Sequence, residues 1–188
     1  MTLPSTEDVV DLLMAQHRQI KGLLAQLKSG QGDKSELFKE LVRLLAVHES
    51  AEAEAVHPVA ARARFGADQM VGQRRHEENH AKRALANLYD LGVDHPDFDA
   101  ELAEFAEAVI DHASREEHEE FALLRQQFSA HQLERMAGSV RAAEAVAPTR
   151  PHPKTGESAL ANLLAGPPLA IFDRARDAVR DWHREDDK

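Results

Sequence analysis

The sequence predicts an all-α protein, an antiparallel four-helix bundle followed by a C-terminal helical extension, and three observations carry that prediction. Hydrophobic residues make up 43% and charged residues 30% of the 188, with only 9 glycines and 8 prolines, a balance that favours helix over strand. Apolar residues recur at intervals of three and four over four successive segments, separated by glycines or a proline-containing turn. Five of the 11 histidines fall where this periodicity expects a core-facing leucine, one or two on each segment. A chain of this length suits one bundle plus an appendage, which we divide into 1–130 and 131–188.

Each helix has its own signals. Ser5 or Thr6 suits an N-cap ahead of the acidic Glu7 and Asp8, and the series Val9, Leu13, His17, Ile20, Leu24, Leu27 follows. Gly30 and Gly32 end that helix, and a second begins near Asp33 or Ser35 with Leu37, Leu41, Leu44, His48, Glu52, Ala55, Val59 on one face. Gly66 marks the next break, after which Met70, Gln73, His76, His80, Ala84, Leu88 and Leu91 form a third face before the turn from Gly92 to Pro96. The fourth helix is expected from about Asp97 to Phe128, with Leu102, Phe105, Val109, His112, Glu116, Leu123 and Leu124 inward. An Ala-rich helix from about His131 to Ala147 then leads to a Pro-rich linker, Pro148 to Pro153, and to apolar positions from Leu160 to Trp182 that are expected to pack back on the bundle.

All four segments are polar near their middles. In an antiparallel bundle those middles meet, so His17, His48 with Glu52, His76 with His80, and His112 with Glu116 would converge on one volume. Residues four apart on a helix lie on one face about 6 Å apart along the axis, so each pair can address the same metal pair. Imidazoles and carboxylates buried together are very costly without a cation. Neutral imidazole suits iron, zinc, copper or nickel, and glutamate has the reach to bridge two ions in a binuclear site. His57, just before Pro58, is a candidate for an additional ligand or a supporting donor, as are Glu49 and Glu117 beside the proposed ligands. His118 lies off the ligand face, and His95, His131, His152 and His183 are expected to face solvent.

Composition also excludes. The absence of cysteine removes disulfides, iron-sulfur clusters and thiolate zinc sites. A net charge of -10 without a free basic stripe argues against a nucleic-acid partner. No signal-peptide pattern and no run of about 18 apolar residues is found, so a cytoplasmic protein without membrane attachment is expected.

The segments around His17, His48-Glu-Ser-Ala-Glu52, His76-Glu-Glu-Asn-His80 and His112-Ala-Ser-Arg-Glu116 resemble the hemerythrin-like, HHE cation-binding family over about residues 8 to 128. The resemblance implies a four-helix bundle around a non-haem di-iron centre, two iron ions bridged by carboxylates and an oxo or hydroxo group. It also implies O2, NO or hydrogen peroxide as ligand, an unknown redox partner, and roles that range from carrier or sensor to peroxide decomposition in oxidative or nitrosative stress. The oxygen carriers of that family place Asp five residues after the fourth-helix histidine, whereas this chain has Glu116 at four and Glu117 at five. Broader members often use one histidine from the third helix and a glutamate beside the second-helix histidine, which here would set Glu49 in place of His76. An iron-binding sensor or storage module acting through a partner is the alternative. A further alternative is a zinc hydrolase, because His76 to His80 fits H-E-x-x-H with Glu77 as general base.

Overall fold

The computed structural model describes residues 7–146, together with Asp173. Helix α1 spans Val9–Ser29 and is capped by Asp8, whose side chain accepts from the Asp11 amide at 2.9 Å. The cap thus falls after Ser5 and Thr6, which lie outside the described residues. Gly30 closes α1 at φ 68°, a left-handed conformation that a residue with a Cβ adopts at a cost. Asp33 caps α2, Lys34–Ala51, by accepting from the Glu36 amide. A π-helical segment, Glu52–Val56, continues the same rod into the short α3, His57–Ala60. Pro58 explains the widening: it has no N–H to donate, and its ring crowds the carbonyl four residues back. The His57 amide instead bonds the Glu52 carbonyl, five residues back.

Beyond Gly66 come α4, Ala67–Leu91, and α5, Phe98–His118. The expected fourth helix is divided at Glu119 (φ -108°, ψ -64°), and α6, Glu120–Gln127, follows. Hydrogen bonds from Glu119 to the Arg115 carbonyl (2.9 Å) and from Leu123 to the Glu119 carbonyl (3.0 Å) carry the helical ladder across this bend. Helix α7, Ala130–Val146, packs against α1, α2 and the π-helical segment. No strand occurs among the described residues, and the fold is all-α. Short loops at 30–33 and 92–97 make α1/α2 and α4/α5 antiparallel neighbours.

The core is in two parts. One apolar cluster joins Ile20 and Leu24 of α1, Leu41 and Leu45 of α2, Leu85 and Leu88 of α4, and Leu102 and Phe105 of α5. The other joins Leu13 of α1, Val47 and Val56, Val71 of α4, Phe121 and Leu124 of α6, and Leu133, Ala137 and Val140 of α7. Helices α1, α2 and α4, and α5 together with α6, pass from one cluster to the other through a polar stretch, so a polar layer lies between two apolar ones. The inward stripe of α4 differs from the expected one: Val71, Arg74, Glu78, Leu85 and Leu88 are buried, while Gln73, His76 and His80 are exposed. Residues 72 to 80 include no large apolar side chain to fix the phase of the helix, so the periodicity there was set by its ends alone. The linker, the apolar positions from Leu160 to Trp182, and His152 and His183 lie outside the described residues.

Candidate metal centre

The polar layer brings together side chains from all the long helices. Ligand atoms of His17, His48, Glu52 and Glu116 lie within 4.8 Å of one another, and so do those of Glu52, Glu78, His112 and Glu116. Glu52 and Glu116 belong to both groups. Both are fully buried, and His17, His48 and Glu78 are at most 3% exposed. A third group, His57 with Glu116 and Glu120, adjoins them.

Three histidines are turned the same way by their outer hydrogen bonds. His17 Nδ1 meets Glu117 Oε1 at 2.8 Å, His48 Nδ1 meets Gln16 Oε1 at 2.9 Å, and His112 Nδ1 meets Glu77 Oε2 at 2.9 Å. Because each partner is an acceptor, each Nδ1 carries the proton and donates it, which leaves Nε2 as a lone-pair donor. These Nε2 atoms face the shared carboxylates: His17 and His112 lie 3.4 and 3.5 Å from Glu116 Oε2, and His48 lies 3.3 Å from Glu52 Oε2. The outer partners are themselves held. Lys21 reaches Glu117 at 3.1 Å, Arg74 reaches Glu77 at 2.7 Å, and Gln16 donates to Glu144 of α7 at 3.0 Å. Phe121 stacks on the His17 ring with centroids 5.5 Å apart.

The donor set fits a cation. Both carboxylate oxygens of Glu52, both of Glu116, and His112 Nε2 are buried without a hydrogen bond, and such groups are costly when nothing satisfies them. The Nε2 atoms of His17 and His48 are 3.0 Å apart, although the other nitrogen of each ring already donates elsewhere. That contact requires positive charge between them, a proton or a metal ion. The absence of thiolate and the mixture of imidazole and carboxylate match a first-row divalent metal. Two groups of four donors sharing two carboxylates match a pair of such ions.

Electrostatics supports the same reading. Burial, with His17 beside it, pushes the His48 pKa well below its ordinary value, so this ring is a neutral ligand. Burial and the neighbouring Glu116 drive Glu52 well above the carboxylate range. Burial acts likewise on Glu116, yet the surrounding His17, His112 and His48 hold it down to about 2. Without a metal the two carboxylates therefore resist carrying charge together. Glu49, 5% exposed, is pushed up to about 8 by burial despite Lys82 at 3.0 Å. His57 is unlike the other three, since both its nitrogens meet carboxylates, Glu78 at 2.5 Å and Glu120 at 2.8 Å. Burial opposes charge on His57, but Glu120 and Glu78 prevail and raise its pKa to about 10.

Of the residues singled out from sequence, His17, His48, Glu52, His112 and Glu116 converge, and Glu117 and His57 support them from one layer out. Glu49 lies beside Glu78 and Lys82 at the edge of the cluster. His76 and His80 are not among these donor groups; they are exposed and rim a cavity of about 400 Å³ that His17, His48 and His112 also line. The reason is angular: once Glu78 faces inward, residues two before and two after it on a helix point roughly 160° away. Glu78 and Glu120 were missed. The signal for Glu78 was the spacing of Val71, Arg74, Glu78 and Leu85, and for Glu120 the continuation of the four-residue series from His112 and Glu116.

The model of the hemerythrin HHE cation binding domain matches residues 8–124. The chain belongs to this family. Among curated relatives, this HHE protein is 24% identical over 178 residues to an uncharacterised hemerythrin-like protein of Schizosaccharomyces pombe, covering 93% of this chain and 87% of that one. It is also 25% identical over 139 residues to a DNA nickase of Nostoc sp., with 73% of this chain and 39% of the nickase covered. No solved structure matches the chain. Membership gives cation binding a firm footing, and the buried His/Glu cluster is where the HHE domain can hold it.

Two consequences are measurable. Gln16 orients His48 without entering the cluster, so Gln16→Leu should weaken metal affinity by about 10- to 100-fold while the helical content stays intact. Competition with a chelator of known affinity measures this, and unchanged affinity would remove Gln16 from the site. The metal-free protein should also lose stability as pH rises. The folded-state pKa of His57 is raised from 6.5 to about 10 and that of Glu49 from 4.5 to about 8. Each contribution is therefore full below the unfolded value and is lost as pH climbs through the folded one. The lowered values of His48 and Glu116 act in the opposite sense only below about their ordinary titration range. Denaturation of metal-free protein between pH 7 and 10 should show a steady decline; a flat profile would contradict the assignment.

Proposed function

We propose that this HHE protein is a non-haem di-iron protein that binds a small oxidant or nitrogen oxide, O2, NO or hydrogen peroxide, in the cytoplasm. The observation that carries the reading is the sharing of Glu52 and Glu116 between two donor groups, which is what a pair of bridged ions requires. In this reading His17 and His48 would hold one ion and Glu78 and His112 the other, with Glu52 and Glu116 available to both. When bound, two ferrous ions would supply up to two electrons to a small oxidant. The protein's own contribution is to fix the imidazoles by their Nδ1 bonds, exclude bulk water with the two apolar clusters, and offer a cavity of about 400 Å³ for a small ligand. Three neutral imidazoles, His17, His48 and His112, in the donor set support reversible binding or peroxide-level chemistry over stronger oxidation.

An iron-binding sensor or storage role uses the same centre, and the bond from Gln16 to Glu144 of α7 is the feature that favours it, because it ties a metal-facing histidine to the C-terminal part of the chain. The zinc hydrolase has less support. Glu77, its general base, is engaged with His112 and Arg74, and no strand is present among the described residues to hold an extended peptide. The relative named as a DNA nickase does not extend its activity here, since the net charge of -10 disfavours phosphate contact.

Metal analysis and an ultraviolet-visible spectrum of purified protein test the proposal. About two irons per chain with charge-transfer absorption that shifts on adding dithionite, peroxide or NO are expected. Oxygen release from peroxide would place the protein among enzymes. His48→Ala and His112→Ala should each lose metal, and metal-free protein should unfold at lower temperature, since binding to the folded state adds stability. Full loading of both variants would refute the ligand set, and one zinc with a featureless spectrum would refute the di-iron centre.

A further inference from the structure

Among the described residues, one large apolar side chain stands wholly in water: Phe65 is 106% exposed, whereas Tyr89 and Ile110 are no more than 40% exposed. Its backbone is held on both sides. The Ala63 amide donates to the Ala60 carbonyl at 3.0 Å and the Ala67 amide to the Arg64 carbonyl at 3.2 Å, and Gly66, at φ 81°, turns the chain into α4. Arg62 and Arg64 flank Phe65, both exposed and neither with an ion-pair partner among the described residues. Next to them lies a cavity of about 360 Å³, lined by Arg64 and Met70 on one side and by Glu119, Ala122 and Leu123 of the α5–α6 bend on the other. The Glu119 carboxylate is already met by Arg74 at 3.1 Å, which leaves the two arginines uncompensated.

An exposed aromatic ring, an apolar hollow and unpaired guanidinium groups together fit a partner that brings an aromatic side chain and carboxylates. The chain contains such a segment. Its single tryptophan stands in Asp181-Trp-His-Arg-Glu-Asp-Asp187, where four acids outnumber one arginine. This stretch lies outside the described residues, and roughly 30 residues join it to Val146 at the end of α7, which at about 3.3 Å per extended residue reach any face of the bundle. Closing a loop of that size costs entropy that grows only slowly with length, and the covalent connection raises the local concentration of the segment above that of a free partner. A second copy is disfavoured by the net charge of -10 on each chain. We infer that residues 181–187 dock on this face of their own chain, with Trp182 in the cavity against Met70 and Leu123 and the carboxylates on Arg62 and Arg64.

Because Trp182 is the only tryptophan, its fluorescence reads the contact directly. In full-length, metal-free protein its emission should be that of a shielded indole, weakly quenched by acrylamide and unchanged on dilution. Arg62→Glu/Arg64→Glu and, separately, Ala122→Phe, which fills the cavity, should each shift the emission to longer wavelength and raise quenching several-fold while helical circular dichroism stays constant. Asp186→Lys/Asp187→Lys should do the same without any change to the bundle, so the test stands even where a substitution in the face disturbs folding. Salt should weaken the shielding in wild-type protein, since the ion pairs are on the surface. Trp182 as accessible in the wild type as in the unfolded chain would overturn the inference. A shielded Trp182 indifferent to all three variants would overturn it too, by placing the segment elsewhere. Shielding lost on dilution, with a dimer in sedimentation, would make a second copy the occupant and overturn the intramolecular contact.

Discussion

Two carboxylates without hydrogen bonds, Glu52 and Glu116, sit at the middle of this bundle, and the rest of the structure is arranged around that constraint. An ion in a low-dielectric interior costs several kcal/mol even after relaxation, so it persists only where something compensates it. The apolar clusters on either side keep water out and so raise the cost. The helices repay it by supplying nitrogen lone pairs and a cation-sized gap rather than neutral donors. Had the protein needed only to bury these glutamates, a serine, amide or arginine on a facing helix would satisfy them. Instead, Arg74 is turned outward to Glu77 and Glu119, and the positive charges nearer the centre, Lys82 and His57, engage Glu49, Glu78 and Glu120, so that neither Glu52 nor Glu116 has a hydrogen-bonded cation of its own.

Much of this was legible in the sequence, and the exceptions have physical causes. In α1, α2 with the π-helical segment, and α5, large apolar residues flank the polar positions closely, Leu13 and Ile20 around His17, Leu44 and Val56 around His48 and Glu52, Val109 beside His112. The phase of each helix is then fixed on both sides of the ligand. In α4 the polar stretch is too long for that. His76 and His80 have a familiar ligand spacing but lie on the exposed strip, and Glu78, the second of two glutamates between them, gives no contrast because glutamate on a helix is most often a solvated charge. Glu120 was hidden for a related reason: it begins α6 after the bend at Glu119, within a run of acidic residues where composition gives no contrast.

His57 shows how a local irregularity changes what a helix can present. On an ideal helix nine residues separate it from His48 by half a turn, which directs it away from the centre. The π-helical segment between them absorbs one extra residue, and its effective displacement is then about 80° rather than 180°. Pro58 is the sequence cause, because neither a normal hydrogen bond nor normal clearance is available at that turn. The outcome is a histidine clasped by Glu78 and Glu120, with α4 and α6 tied to the start of α3 through a single ring. Proline here acts on the site at one remove, by changing the phase of the residue before it.

The centre is also asymmetric, and the asymmetry decides the direction from which chemistry can arrive. The side that meets the cavity is made of imidazoles, His17, His48 and His112, with Ile20, Leu45 and Val109 forming apolar wall. The opposite side holds Glu78, Glu120 and His57, closed off by Val56 and Phe121 of the second apolar cluster. Glu49, Glu77 and Asp111 also line the cavity, together with Lys21 and Arg115, whereas the shared carboxylates Glu52 and Glu116 do not. Such a passage favours small ligands without charge over anions, which would have to part with their water against an apolar wall. On the far side His57 and its two carboxylate partners, Glu78 and Glu120, neutralise one another away from the cavity. The geometry thus opens the centre to the cavity on its imidazole side and buries the mutually neutralised charges of His57, Glu78 and Glu120 on the other.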